Sequence, residues 1–284
     1  MGYALMHLAN ALRVKGDLPA AERTAAESEH CWIPREEGSP DPLDDATYYA
    51  LQASLRRTQG HFAEAIALHD KALSSPGADA LRPELLVSKA YTLDEYGDVE
   101  GVARTLEEAA SCLTGAEDPR LVLALRHNLV DALSKAGNFS EAKELLPEVK
   151  RLAAVAGTDL DHARVQWVEG RIAAGLGNSE QGVSLLLKAR GVLMSEGIAL
   201  DAALVTLELA SLYLSGGRMG TVKDLARNLA TLFQAQALPR ETLAALQLFR
   251  QAAEAEQVTT DLIDRLLSYL RKARYNPRLK FGEE

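Results

Sequence analysis

The sequence has little of what several large classes of protein require. It contains only two cysteines, Cys31 and Cys112, in 284 residues, which argues against a disulfide framework and a structural zinc site. No apolar run approaches the ~18–20 residues of a membrane-spanning helix, so no membrane partner is expected. Aromatic residues make up only 5% of the chain, whereas alanine and leucine dominate. This composition favours helices over sheets.

Acidic residues outnumber basic ones, 40 Asp and Glu against 31 Lys and Arg, so the formal net charge is −9 and an excess of positive charge is lacking. Nucleic-acid binding depends on Lys and Arg that neutralise phosphates, so no nucleic-acid partner is expected. The N-terminal residues lack the basic region of a signal peptide, and a cytoplasmic location is predicted. Basic residues gather near the C-terminus, where they favour a helix end stabilised by cations over a nucleic-acid patch. These residues are Arg265, Arg271, Lys272, Arg274, Arg278 and Lys280.

The sequence offers no constellation of reactive groups of the kind that an enzyme needs. The glycine-containing segment 173–182 lacks the Lys–Ser/Thr pair of a phosphate-binding loop, and no HExxH motif is present. Asp41, Asp44 and Asp45 form a short acidic run, which we interpret as a cap for the following helix. We therefore predict a non-enzymatic protein with no cofactor and no metal ion.

What the chain has in abundance is a repeated glycine turn. Turn glycines occur at positions 16, 60, 97, 137, 177 and 217, so successive gaps are 44, 37, 40, 40 and 40 residues. Apolar residues recur at spacings of three and four on both sides of Gly137, which predicts a helix, a tight turn and a second helix. A fixed period of this size is typical of a solenoid built from stacked helical pairs.

Three segments carry this pattern most clearly: NALRVKGDLPAAE (10–22), RRTQGHFAEAIALHDKAL (56–73) and DALSKAGNFSEAKELL (131–146). They resemble tetratricopeptide repeats, whose pattern combines a Gly-Asp/Asn-aromatic turn with small residues on both helices. The usual period is 34 residues, and the period here is about 40. This longer form resembles the tetratricopeptide domains of bacterial regulatory and signalling proteins. The resemblance implies an all-α fold, a right-handed α-solenoid of about seven antiparallel helical hairpins.

We predict one solenoid over residues 1–284. The seventh hairpin lacks the glycine turn, as expected of a terminal unit with one face in water. No polar capping unit precedes the first hairpin, which suggests a missing upstream segment, and the alternative is a genuine short start. A separate hypothesis is a homo-oligomer formed through an uncapped terminal hairpin. The predicted hairpins lie at about 2–31, 45–75, 82–114, 119–156, 159–196, 199–235 and 239–274, with a C-terminal tail at 275–284.

The first helix of each pair is expected to line the concave groove of such a solenoid. Positions near six, three and ten residues before each turn glycine should face that groove. We expect Arg164, Trp167 and Arg171 to form a hot spot, because Arg and Trp often dominate interface energies. The alternative is that Trp167 packs in the core. The full candidate set is Arg13, Arg57, Tyr91, Asp94, His127, Asp131, Arg164, Trp167 and Arg171.

The predicted function is a protein- or peptide-binding scaffold whose partner binds in the concave groove. The resemblance implies a regulatory or adaptor module of a bacterial signalling or transcription-control system. The alternative is a receptor for a small ligand or a short signalling peptide, by analogy with the solenoid receptors of bacterial quorum sensing.

Overall fold

The computed structural model describes residues 1–15, 17–32, 45–113, 118–234, 239–273 and 279–282. In these ranges the chain forms fourteen α-helices and no β-strand, which confirms the predicted all-α class. None of the described helices is both long and apolar enough to cross a bilayer. Several predicted features lie outside the described residues: the turn at Gly16, the acidic residues Asp41 and Asp44, the basic residues Arg274 and Arg278, and most of the tail.

The helices follow one another as seven pairs. Contacts between them divide the chain into two compact units, Met1–Glu117 and Asp118–Glu284. The prediction of one continuous solenoid stays a prediction. Unit 1 contains α1 (Gly2–Lys15), α2 (Leu18–Cys31), α3 (Asp45–Thr58), α4 (Phe62–Leu73), α5 (Arg82–Tyr96) and α6 (Val99–Ser111). Unit 2 contains α7 (Pro119–Lys135), α8 (Phe139–Ala156), α9 (Asp159–Gly175), α10 (Ser179–Ser195), α11 (Ala199–Ser215), α12 (Met219–Gln234), α13 (Arg240–Glu254) and α14 (Thr260–Ala273).

The glycine turns end one helix and start the next within two residues. Gly97 and Gly137 have φ of 94° and 83°, the left-handed region that terminates helices. The amide of Asp98 then donates to the carbonyl of Leu93 at 3.0 Å, and its carboxylate accepts from the amide of Gly101 at 2.8 Å. The Gly-Asp sequence therefore closes α5 and caps α6 with the same two residues.

Small residues let the two helices of a pair approach closely. In the pair α9–α10, a Cβ added to Gly170 would lie 3.1 Å from the carbonyl of Gly182, and one added to Gly182 would lie 2.9 Å from the carbonyl of Gly170. The corresponding residues of another pair, Ala53 and Ala65, are completely buried. The small residues of the repeat are therefore packing positions, where a larger side chain would separate the helices.

The last pair departs from the regular arrangement. Helix α14 packs mainly on α11 of the preceding pair and much less on its neighbour α13. Its buried face includes Leu266, Tyr269 and Leu270, which join the apolar core around α11. The Tyr269 hydroxyl donates to the carbonyl of Leu279 at 3.0 Å, and its ring meets Phe281 edge-on. The strongly amphipathic α14 thus covers an otherwise exposed apolar helix.

A pair of glycine substitutions tests the turn geometry. Gly137→Ala should destabilise the protein by about 1–2 kcal/mol, because a Cβ is disfavoured in the left-handed region although no atom lies within 4 Å of it. Gly191→Ala is the matched control, since Gly191 lies inside α10 and is equally open. It should stabilise the protein by about 0.5–1 kcal/mol. Urea unfolding measures both; equal effects of the two changes would contradict this account of the turn.

Candidate functional site

Equivalent positions of neighbouring first helices meet in unit 2. Asp131 on α7 and Arg171 on α9 each lie six residues before a turn glycine, and they are 40 residues apart. Arg171 donates from Nη1 to Asp131 Oδ1 at 2.6 Å. The repeat period thus brings together two of the residues that the sequence placed on the groove.

Arg171 is the centre of a network that joins three first helices. Its Nη1 also donates to Ser134 Oγ at 3.0 Å, and its Nη2 donates to Glu208 Oε1 on α11 at 2.8 Å. Trp167 donates from Nε1 to Glu208 Oε2 at 2.9 Å, and its ring lies beneath the Arg171 guanidinium. We call Asp131, Trp167, Arg171 and Glu208 the Arg171 cluster. It links α7, α9 and α11 through charged hydrogen bonds.

The charges of the Arg171 cluster stabilise one another. Burial opposes ionisation of Asp131, but the positive charges of Lys135 and Arg171 hold its pKa below the usual value. Burial likewise opposes the charge on Arg171, while Glu208 and Asp131 raise its pKa further. Asp131 and Arg171 therefore stay charged throughout the physiological pH range. The side chain of Arg171 is 13% exposed and that of Glu208 is 11% exposed, so little of this pair faces solvent.

Two other predicted residues of unit 2 lie beside this network. Arg164 has its Nη2 3.7 Å from a carboxylate oxygen of Asp201, which is buried. His127 is half-buried, and its Nε2 has no hydrogen-bond partner among the described residues. The sequence reasoning missed Glu208. It lies 41 residues after Trp167 and 37 after Arg171, so a search at about one period would have found it.

Removing Arg171 should be costly, because Asp131 and Glu208 would lose the hydrogen-bonded partner that they share. Asp131 would keep Lys135, and Glu208 would keep Trp167 and the more distant Arg271. We therefore expect Arg171→Ala to lower the free energy of unfolding by about 2–4 kcal/mol. Lys150→Ala is the control in the same unit, because Lys150 is 52% exposed in its ion pair with Glu169, and it should cost less than about 1 kcal/mol. Chemical denaturation followed by circular dichroism compares the two. A loss for Arg171→Ala no larger than that of the control would show that the cluster does not hold the helices together.

Unit 1 has a second charged group on its first helices, about one helical turn nearer the turn glycines, formed by Arg13 on α1, Arg57 on α3 and Glu95 on α5. We call it the Arg57 cluster. Arg13 donates to Asn10 Oδ1 at 2.9 Å and to Thr58 Oγ1 at 3.3 Å. Arg57 Nε lies 3.4 Å from Glu95 Oε1, an ion pair without the geometry of a hydrogen bond. The sequence predicted Asp94 at this place and missed Glu95, whose side chain is only 2% exposed.

The remaining predicted residues of unit 1 surround this cluster. Tyr91 is 41% exposed on α5, and Asp94 is half-buried one turn further along the same helix. His69 on α4 is buried, and its Nε2 lies 3.0 Å from Thr92 Oγ1. Burial raises the pKa of Glu95 to about 7; Arg57 opposes this shift and Asp94 adds to it. Burial and the charge of Arg57 lower the pKa of His69 to about 4.

The raised pKa of Glu95 predicts a pH dependence of stability. The unperturbed pKa is 4.5, so the contribution of the protonated carboxyl is fully present below pH 4.5 and is lost as the pH rises through about 7. Glu95→Gln cannot ionise and should become more stable than the wild type as the pH rises from 5 to 8, by on the order of 2–3 kcal/mol. Thermal unfolding across this range measures the difference, and His69 affects both proteins alike. If the stability difference between Glu95→Gln and the wild type does not change with pH, the pKa of Glu95 is not raised.

No group of three or more His, Cys, Asp or Glu side chains within the described ranges could hold a metal ion. The two charged clusters consist of arginines, carboxylates and an indole, side chains suited to recognising polar and charged groups of a partner.

Comparison with known proteins identifies the fold. No model of a known protein family matches the chain, and no curated protein matches it. Among solved structures, a Rap protein complexed with Competence and Sporulation Factor matches with a TM-score of 0.63 and 12% identity, over 96% of this chain and 87% of that chain. A STAND protein with a tetratricopeptide repeat sensor from Pyrococcus horikoshii gives 0.65 and 14%, over 98% of this chain and 42% of its own.

A tetratricopeptide repeat protein from Parabacteroides merdae is similar over nearly the whole of both chains, with a TM-score of 0.57 and 16% identity. At identities this low, these likenesses define the architecture alone. The chain has a tetratricopeptide-like helical-repeat fold, which confirms the resemblance drawn from its glycine turns.

Proposed function

We propose that this chain is a non-enzymatic scaffold that binds a protein or peptide along the first helices of its pairs. The observation that carries the proposal is the Arg57 cluster, in which the partly exposed Arg13 and Arg57 lie beside the buried Glu95, and the three residues make no hydrogen bonds to one another. The exposed ring of Tyr91 on α5 adds an aromatic contact on a neighbouring first helix. A repeat scaffold recognises its partner through a few charged or aromatic side chains and through complementary charge.

The scaffold is proposed to act as a cytoplasmic regulatory or adaptor module in a bacterial signalling or transcription-control system. The similarity to a Rap protein and to a STAND protein with a tetratricopeptide repeat sensor supports a regulatory role. The partner would bind in the concave groove that the first helices are predicted to line. Candidate contacts in addition to the Arg57 cluster are Asp94, His127 and Arg164. The predicted contacts Asp131, Trp167 and Arg171 already bind one another or Glu208 within the fold, so they would contribute less.

A second candidate is a receptor for a small ligand or a short signalling peptide. The specific observation in its favour is the Rap structure, which contains Competence and Sporulation Factor. A receptor of this kind should be stabilised by its ligand in proportion to ligand concentration. A rise in melting temperature on addition of the low-molecular-mass fraction of a cell extract would favour this candidate over a scaffold for large proteins.

Site-specific photo-cross-linking tests the binding face. A photoreactive phenylalanine analogue would replace Tyr91 on α5, and in a second variant it would replace Glu107, an exposed residue of α6 in the same pair. In a lysate of the source organism, the variant at position 91 should cross-link to a specific partner, and the variant at position 107 should not. Equal cross-linking from both positions, or from position 107 alone, would contradict binding along the first helices.

A further inference from the structure

The first pair of helices carries an apolar face that no described part of the chain covers. Met1, Ala4, Leu8 and Ala11 are exposed, and their spacing of three and four residues places them on one face of α1. Met1 is 87% exposed and Leu8 is 51% exposed. We call these four residues the α1 stripe. Soluble proteins rarely leave a contiguous apolar surface uncovered, so the α1 stripe is a candidate interaction surface.

The α1 stripe faces away from the rest of unit 1. On the opposite side of α1, Met6 is fully buried and Arg13 donates to Thr58 of α3 at 3.3 Å. Leu8 lies about 160° from Met6 and about 140° from Arg13 around the helix, so it points away from α3. In unit 2 the apolar helix α11 is covered by α14, whereas among the described helices α1 packs chiefly on α2 and α3.

Glu27 of α2 shares this outward side. Glu29 of the same helix accepts a hydrogen bond from Arg56 of α3 at 3.0 Å. Glu27 lies about 160° from Glu29 around α2, so it points away from α3 as Leu8 does. Its side chain is exposed.

Charges of opposite sign therefore lie at the two ends of the α1 stripe. The Ser28 hydroxyl donates to the carbonyl of Gly2, which places Glu27 near the N-terminal end of α1. Lys15 is exposed at the C-terminal end of α1, four residues after Ala11 on the same face. Neither Lys15 nor Glu27 forms an ion pair with any residue that the structure describes.

We propose that a second copy of this chain covers the α1 stripe, with the two α1 helices antiparallel about a two-fold axis near Leu8. Leu8 lies at the centre of the face that runs from Met1 to Lys15, so the axis places Leu8 against Leu8 of the partner subunit. The same rotation brings Lys15 towards Glu27 of the partner subunit, and an isologous interface makes this contact twice.

The positions of the two charges favour a second copy, in the antiparallel orientation, as the occupant. A parallel pair of α1 helices would place Lys15 beside Lys15 of the partner subunit, and like charges at an interface are unfavourable. Only one helical pair of each copy contributes to the contact, so a weak dimer with a Kd of about 10–100 µM is expected. The proposal is independent of the proposed binding function, because none of these residues belongs to the Arg57 cluster.

Sedimentation equilibrium of the full chain tests the proposal, and the wild type should pass from monomer to dimer between about 1 and 300 µM. Leu8→Glu places two carboxylates at the axis and should weaken association by about 100-fold or more. Leu248→Glu is the matched control, because Leu248 is 41% exposed on α13, away from the α1 stripe. This variant should dimerise as the wild type does.

Exchange of the two charges tests the orientation. Lys15→Glu and Glu27→Lys should each weaken the dimer by about 5-fold or more, because each creates two like-charged contacts. The double variant restores both pairs and should associate nearly as the wild type does, which separates lost contacts from a folding defect. A monomer at every concentration, an equal effect of Leu248→Glu, or a double variant as weak as the single ones would overturn the proposal. A monomer that Leu8→Glu destabilises in urea would show instead that the chain covers the α1 stripe itself.

Discussion

The period of the repeat is the constraint on which the rest of this structure depends. Because each turn glycine ends a first helix at the same point, equivalent positions of neighbouring first helices lie side by side. In unit 2 this register joins Asp131 to Arg171 across 40 residues and Trp167 to Glu208 across 41 residues. Long-range contacts that define the surface therefore follow from a local signal, a glycine that adopts a positive φ.

The same register produces two clusters with opposite consequences. In unit 2 it places one arginine between two carboxylates, and the charges neutralise one another within the fold. In unit 1 it places two arginines beside a single buried carboxylate, Glu95, and the geometry leaves hydrogen-bonding capacity unused. A satisfied network rigidifies a fold, whereas an unsatisfied one at the surface is available to a partner. We therefore assign partner recognition to the Arg57 cluster, whose hydrogen bonds the fold leaves unmade.

The sequence predicted the fold class well because the glycine period and the small packing residues are local signals. It predicted less of the charged sites, because their partners depend on helix rotation. Asp94 and Glu95 are adjacent in sequence, but one residue turns the side chain by about 100° around the helix, and the structure pairs Arg57 with Glu95. The sequence did not indicate that Arg171 is hydrogen-bonded within the protein, because its partner Glu208 lies outside the positions that were expected to face the groove. Helix α14 packs on α11 because Tyr269 and its neighbours are buried there. This contact joins residues that are far apart in sequence, so no local pattern specifies it.

The central claim is that Arg171 is engaged within the protein while Arg57 is available to a partner. The most direct measurement is the rate at which the Nε protons of these two arginines exchange with solvent in the free protein, followed by NMR. The account predicts slow exchange for Arg171, whose Nε donates to Glu208, and fast exchange for Arg57. Equal protection of the two protons, or slower exchange at Arg57, would contradict it.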